Sequence, residues 1–171
     1  TIDRLSDESL LINFNELNER ELRLLNVQFS FFGHAYIYGG SSPLSKLPSL
    51  LAKPWVKISH KLGRPAVLSY ASYCLDNWFK INKDEPISLE NVALIHNFLG
   101  GIDEDWFVTI HVCIEHAAKG AIKSATQISK LFQEDNVSKK EIYENLNQLK
   151  NSFIEINHIF RKMPEKCDPY I

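Results

Sequence analysis

The chain has little sulfur: one methionine and three cysteines in 171 residues. Cys74, Cys113 and Cys167 are odd in number and lack C-x-x-C spacing, which argues against a disulfide framework or a zinc knuckle and for free thiols. No apolar run reaches the ~18 residues that span a bilayer, and the first residues do not read as a secretion signal. A soluble, cytoplasmic protein with no membrane contact is expected. The net charge of −2, with both signs interspersed, leaves no basic footprint for nucleic acid. Also missing are a glycine-rich phosphate loop, a G-x-S-x-G nucleophile turn and an H-E-x-x-H metal pair. His111 and His116, five residues apart, point to different sides of a helix and do not chelate one metal.

What is present is a 44% hydrophobic chain with helical periodicity and no internal repeat, long enough for one sizeable core. The reading is all-α, a bundle of about six helices with no convincing strand. Residues 1–171 are expected to form one helical segment, with a polar lead-in over 1–17 and a helical core over 18–163. The lead-in starts at Thr1 rather than methionine and reads as the continuation of a longer polypeptide.

Asn18 is placed to cap a first helix, with Glu19 and Glu21 against the positive end of its dipole. Leu22, Leu25, Phe29, Phe32 and Tyr36 follow at helical spacing until Gly39-Gly40 stops them. His34 among these aromatics reads as a packed residue. Ser41 to Lys53, with two prolines, reads as a loop. Pro54 then opens a short helix, Trp55 to Leu62, closed by Gly63. Helices are expected over Ala66 to Phe79 and, capped by Ser88, over Leu89 to Phe98. A last helix opens at Ser138-Lys139-Lys140-Glu141, which has capping-box spacing, and ends before Pro164.

The segment that invites a functional reading is the long helix expected from Asp103 or Asp105 to Phe132, with Gly120 as its weak point. Phe107, His111, Ile114 or Glu115, and Ala118 share one face, which would direct His111 inward. A neutral imidazole offers one donor and one acceptor and exchanges a proton near neutrality, which suits a ligand pocket as well as a satisfied core position. Periodicity does not separate the two.

The residues carry a resemblance. Arg20 to Leu24 through Gly33-His34-Ala35-Tyr36 resembles the first core helix of indoleamine 2,3-dioxygenases. Pro54-Trp55, Ser59, Leu62-Gly63, Pro65, Leu68-Ser69-Tyr70-Ala71 and Asn77-Trp78 are similar to that family's signature. Glu115-His116-Ala117-Ala118, Ala121-Ile122-Lys123 and Met163 with Asp168-Pro169-Tyr170 continue it in order. The resemblance implies a helical fold binding haem b, and a dioxygenase that inserts O2 into the indole 2,3-bond of L-tryptophan to give N-formylkynurenine. It also implies that Tyr70, Tyr73, Cys74 and Phe107 bind substrate and that His111 is the catalytic-side residue of the distal pocket. His111 stands where animal members have serine, and Phe107-Val108-Thr109-Ile110-His111 is similar to the F-x-x-x-H of tryptophan 2,3-dioxygenases. A histidine there can hydrogen-bond the indole N–H or oxygen at the haem.

Family members are longer. The resemblance places the arginine for the substrate carboxylate and the axial haem histidine in a second half, beyond Ile171, so no metal ligand is expected in this chain. That half, on the same or a separate polypeptide, is the expected partner, with tryptophan or a related indole and O2. Two other readings stay open: a haem oxygenase of another aromatic substrate, and a helical binding module without catalysis.

Overall fold

The computed structural model describes residues 13–133 and 138–168. Four α-helices carry the described chain: α1 (Glu19–Tyr38), α2 (Ser49–Lys61), α3 (Ile102–Leu131) and α4 (Lys139–Phe160). A π-helical turn spans Ala71–Leu75, a 3-10 turn spans Met163–Glu165, and two three-residue strands, β1 (Trp78–Lys80) and β2 (Val92–Leu94), pair with each other. The fold is helical, as expected. No helix among the described residues is long and apolar enough to cross a membrane. The chain divides into two compact units: residues up to Trp78 with Leu94–Leu99, and Phe79–Ala93 with the residues from Gly100 onward.

In the first unit, α1 opens on a full capping box. Asn18 Oδ1 accepts from Glu21 N at 3.0 Å, and Glu21 Oε2 accepts from Asn18 N at 2.8 Å, so two otherwise unpaired donors are satisfied. Leu22, Phe29, Leu51, Trp55 and Ile58 form the core with Phe14. One polar pair is buried within it: Ser59 Oγ donates to Asn26 Oδ1 at 3.0 Å. Gly33 permits the close crossing of α1 and α2, because a Cβ there would lie 2.6 Å from Trp55 Cζ3.

α2 begins at Ser49, more than a turn before the expected start, and Pro54 lies inside it. Pro48 already supplies a fixed φ of −56°, and its carbonyl accepts from Leu51 N and Ala52 N. Burial of Leu50 and Leu51 rewards this extra turn. The helix closes where expected: Gly63 takes φ +64°, Gly63 N donates to His60 O, and Arg64 N donates to Ser59 O, the two bonds of a Schellman motif.

The helix expected over Ala66 to Phe79 is present only as the π turn. Ser72 Oγ accepts from Ser69 N at 3.1 Å, a local side-chain bond that competes with helix, and Asp76 N reaches back five residues to Ala71 O. The helix expected over Leu89 to Phe98 is instead β2 and an extended leg. Asn91, in the second unit, explains why: its Nδ2 donates to Asn82 O and Pro86 O while its Oδ1 accepts from Asn82 N. One buried amide thus fixes the 82–86 turn as a loop and leaves Asn91 O to pair with Ile81 N.

The rest of the second unit is α3 packed on α4. α3 runs uninterrupted through Gly120. That glycine is a contact point rather than a weak one, since a Cβ on it would lie 2.6 Å from Ser152 Oγ. Ser138 caps α4 as expected, accepting from Glu141 N at 3.3 Å. The end of the described chain is tied to the start of α3: Asp168 N donates to Asp103 Oδ1 at 2.7 Å and Cys167 Sγ to Asp103 O at 3.2 Å. Pro169 and Tyr170 of the closing motif lie outside the described residues, as do residues 1–12 of the lead-in.

Candidate functional site

In the first unit the π turn carries three of the expected site residues. Tyr70 caps its N-terminal end and is 44% exposed, Tyr73 is half-buried, and Cys74 is fully enclosed. Single π turns widen a helix locally and recur at functional sites. Here the turn directs the Tyr73 ring onto Phe31 of α1, with centroids 5.8 Å apart and planes 20° from parallel. Phe98 stacks on the same Phe31 at 4.6 Å and His96 tilts against it at 5.7 Å, so Phe31 is the hub of an aromatic platform.

Asn77 holds this platform together. Its buried Nδ2 donates to Tyr73 O at 3.1 Å and His96 O at 2.8 Å, and its Oδ1 accepts from His96 N at 2.9 Å. Three of its four hydrogen-bonding capacities are thereby used to join two chain segments nineteen residues apart. The far end of the turn is pinned by Asp76, which takes Arg64 at 2.5 Å and Arg23 at 3.4 Å. Neither Asn77 nor His96 is among the expected site residues. Asn77 was legible only as half of an Asn-Trp signature, and His96 sat in a stretch read as helix.

His96 is the least satisfied side chain of this group. Its Nε2 is enclosed without a hydrogen-bond partner, and burial holds its pKa below the usual 6.5. The ring is kept neutral where a charged imidazolium would lose its hydration.

In the second unit, Phe107 and His111 lie one turn apart on α3 with ring centroids 4.3 Å apart. His111 Nδ1 is 2.7 Å from Phe107 O. A carbonyl only accepts, so the bond requires the proton on Nδ1 and makes Nε2 the acceptor of the neutral ring. The expected inward direction is corrected. α3 buries Trp106, Ile110, Cys113, Ala117 and Ala121 along one line and Val108, Thr109 and Val112 beside it, whereas Phe107, His111, Ile114 and Ala118 are not among its buried residues. Trp106 takes the inward place because its Nε1 finds Lys162 O at 2.9 Å while Lys166 Nζ lies 4.2 Å over its ring. Phe107 is left 40% exposed and His111 half-buried.

The structure therefore joins Tyr73 with Phe31, His96 and Phe98, and Phe107 with His111, on separate units. All three cysteines are free. The Cys113 thiol is pushed up to about 11, first by burial and then by Glu90, with Lys162 opposing, so it is no nucleophile at neutral pH.

A family model described as indoleamine 2,3-dioxygenase matches residues 6–171. The chain belongs to the indoleamine 2,3-dioxygenase family. An indoleamine 2,3-dioxygenase of Saccharomyces cerevisiae is 29% identical over 89% of this chain and 35% of its own length. Indoleamine 2,3-dioxygenase 1 of Mus musculus is 30% identical over 86% of the chain and 36% of its own length. A 6-hydroxytryptophan 2,3-dioxygenase of Fusarium equiseti is 26% identical over 90% of the chain and 37% of its own length. The chain thus spans little more than a third of these relatives.

The donor chemistry bears on the haem that an indoleamine 2,3-dioxygenase implies. Among the described residues no three His, Cys, Asp or Glu side chains gather as a chelating set. A macrocycle that brings its own four equatorial nitrogens needs no such set; it needs apolar and aromatic surroundings and one axial ligand. Within the first unit the aromatic platform of Tyr73, Phe31 and Phe98, and within the second the Phe107–His111 pair, are each of the apolar, aromatic character that such surroundings require.

Proposed function

We propose that this chain supplies the substrate-side residues of a haem-dependent dioxygenase that converts L-tryptophan and O2 to N-formylkynurenine. The observation that carries the proposal is the Phe107–His111 pair: the bond to Phe107 O sets the tautomer so that Nε2 can accept an indole N–H. Support comes from a family match that runs through both residues.

In this reading Tyr70, Tyr73, Cys74, Phe107 and His111 are the residues that meet the substrate. Phe107 and the tyrosines orient the indole ring by offset or edge contacts, worth ~0.5–1.5 kcal/mol each beyond area burial. His111 accepts the indole N–H and holds its own proton on Nδ1. Bound haem supplies the O2 chemistry. The axial histidine and the group that binds the substrate carboxylate come from the portion of the family's length that this chain does not span, on the same or a separate polypeptide. Free thiols accord with a reducing, cytoplasmic setting.

The relative named for 6-hydroxytryptophan favours a second reading, in which a ring-substituted tryptophan is the substrate. Incubating the complete enzyme with each substrate under isotopically labelled O2 and analysing the product by mass spectrometry decides between them. The proposal expects both labelled atoms in N-formylkynurenine from L-tryptophan. Label in one atom or none, or turnover of the hydroxylated substrate alone, contradicts it.

A further inference from the structure

The π turn is too short to hold its own shape. Its closing bond runs five residues back, from Asp76 N to Ala71 O at 2.8 Å, and a lone helical turn is costly to nucleate. Tyr70 caps one end of it and Asp76 the other. The Asp76 side chain is only 11% exposed, and each of its oxygens takes one guanidinium. Oδ2 accepts from Arg64 Nη1 at 2.5 Å and Oδ1 from Arg23 Nη1 at 3.4 Å.

Both arginines are themselves fixed. Arg64 follows the Gly63 that closes α2, with its own N–H bound to Ser59 O at 2.9 Å, and Arg23 is gripped on α1 by Glu19 Oε1 at 2.6 Å. One carboxylate therefore refers the end of the turn to α1 and α2 at once, all within the first unit. A partly buried ion pair adds little net stability, because desolvation offsets the attraction. What it adds is direction: donors on both oxygens fix the plane of the carboxylate, and with it the backbone of Asp76. Direction matters here because a π turn that relaxes to an α turn shifts the side chains on one side of it by one residue, roughly 100° round the axis.

We propose that Asp76, held by Arg64 and Arg23, is a positioning residue that keeps the turn in its π form and so sets the affinity for substrate at Tyr70 and Tyr73. This rests on the reading that those tyrosines meet the substrate; Asp76 acts through them.

The test uses the complete enzyme and two readouts, steady-state kinetics with L-tryptophan and titration calorimetry of L-tryptophan binding without O2. Asp76→Ala should raise Kd and KM together by about tenfold and leave kcat within about threefold, the pattern of lost uniform binding. Asp76→Asn keeps the volume and one acceptor oxygen, so its rise should be smaller, about fivefold, and Arg64→Gln should match it. These two variants carry the test if Asp76→Ala does not fold, which far-UV circular dichroism reports. Action through the tyrosines also requires coupling: in a Tyr70→Ala background each of the three substitutions should raise KM by less than about twofold.

Unchanged Kd and KM in all three variants overturn the proposal. So does a fall in kcat at unchanged KM, which a loss of folded enzyme alone would produce. If Tyr70→Ala raises KM but the effect of the Asp76 and Arg64 variants adds to it in full, the positioning role fails and the substrate reading stands. If Tyr70→Ala leaves Kd and KM unchanged, the substrate reading fails and the positioning role with it.

Discussion

Asn77 and His96 exchange two hydrogen bonds, Nδ2 to His96 O at 2.8 Å and His96 N to Oδ1 at 2.9 Å, so a side chain does there what a strand partner would do. Removing the amide leaves His96 N and His96 O short of the partner it supplies. Asn77→Ala should therefore destabilise the chain by about 3 kcal/mol, on the scale of ~1–3 kcal/mol for each buried polar group left unpaired. Urea unfolding measures it, and a loss under about 1 kcal/mol would mean that water replaces the amide.

Gly120 sets helix propensity against packing. In an isolated helix Gly→Ala gains ~1 kcal/mol. Here the new Cβ would lie 2.6 Å from Ser152 Oγ. Gly120→Ala alone should destabilise by ~1–3 kcal/mol, the usual range for an overpacked contact. Adding Ser152→Ala removes the obstructing oxygen and should recover most of the loss, so a double-mutant cycle should show strong positive coupling. Additive effects would place the α3–α4 contact elsewhere.

Burial lowers the His96 pKa, so the unfolded chain takes up that proton first as pH falls. Its contribution is fully present above the unfolded value of about 6.5, declines below it, and levels off under the depressed folded value. Urea midpoints of wild type should fall more steeply between about pH 7 and pH 5 than those of His96→Phe. Parallel curves would show that His96 is protonated without cost in the folded chain.

Helix ends were legible where a side chain does the capping. Asn18, Ser138 and Gly63 mark their boundaries because each satisfies backbone groups within a few residues. The two misread stretches, around Ala71–Leu75 and Val92–Leu94, have helical apolar spacing but are decided by Asn77 and Asn91, whose partners lie up to nineteen residues away. Local periodicity carries no trace of such bonds. The face of α3 was misread for a similar reason: Trp106 rather than Phe107 is the buried aromatic, and its Nε1 donates to Lys162 O, fifty-six residues away. The Phe107–His111 pair was legible because its four-residue spacing is itself the contact.

The central claim is that His111 reads the indole nitrogen in a tryptophan-cleaving dioxygenase. Steady-state kinetics of the complete enzyme, wild type and His111→Ser, with L-tryptophan and 1-methyltryptophan tests it directly. Loss of one hydrogen bond worth ~0.5–1.5 kcal/mol predicts that His111→Ser lowers kcat/KM for tryptophan by about tenfold at most without abolishing turnover. The preference for tryptophan over 1-methyltryptophan should shrink with it, because the N–H that the methyl group removes would already have lost its acceptor. An unchanged preference in His111→Ser would contradict the account, and a loss beyond about a thousandfold would make His111 a required catalytic group instead of a hydrogen-bond acceptor.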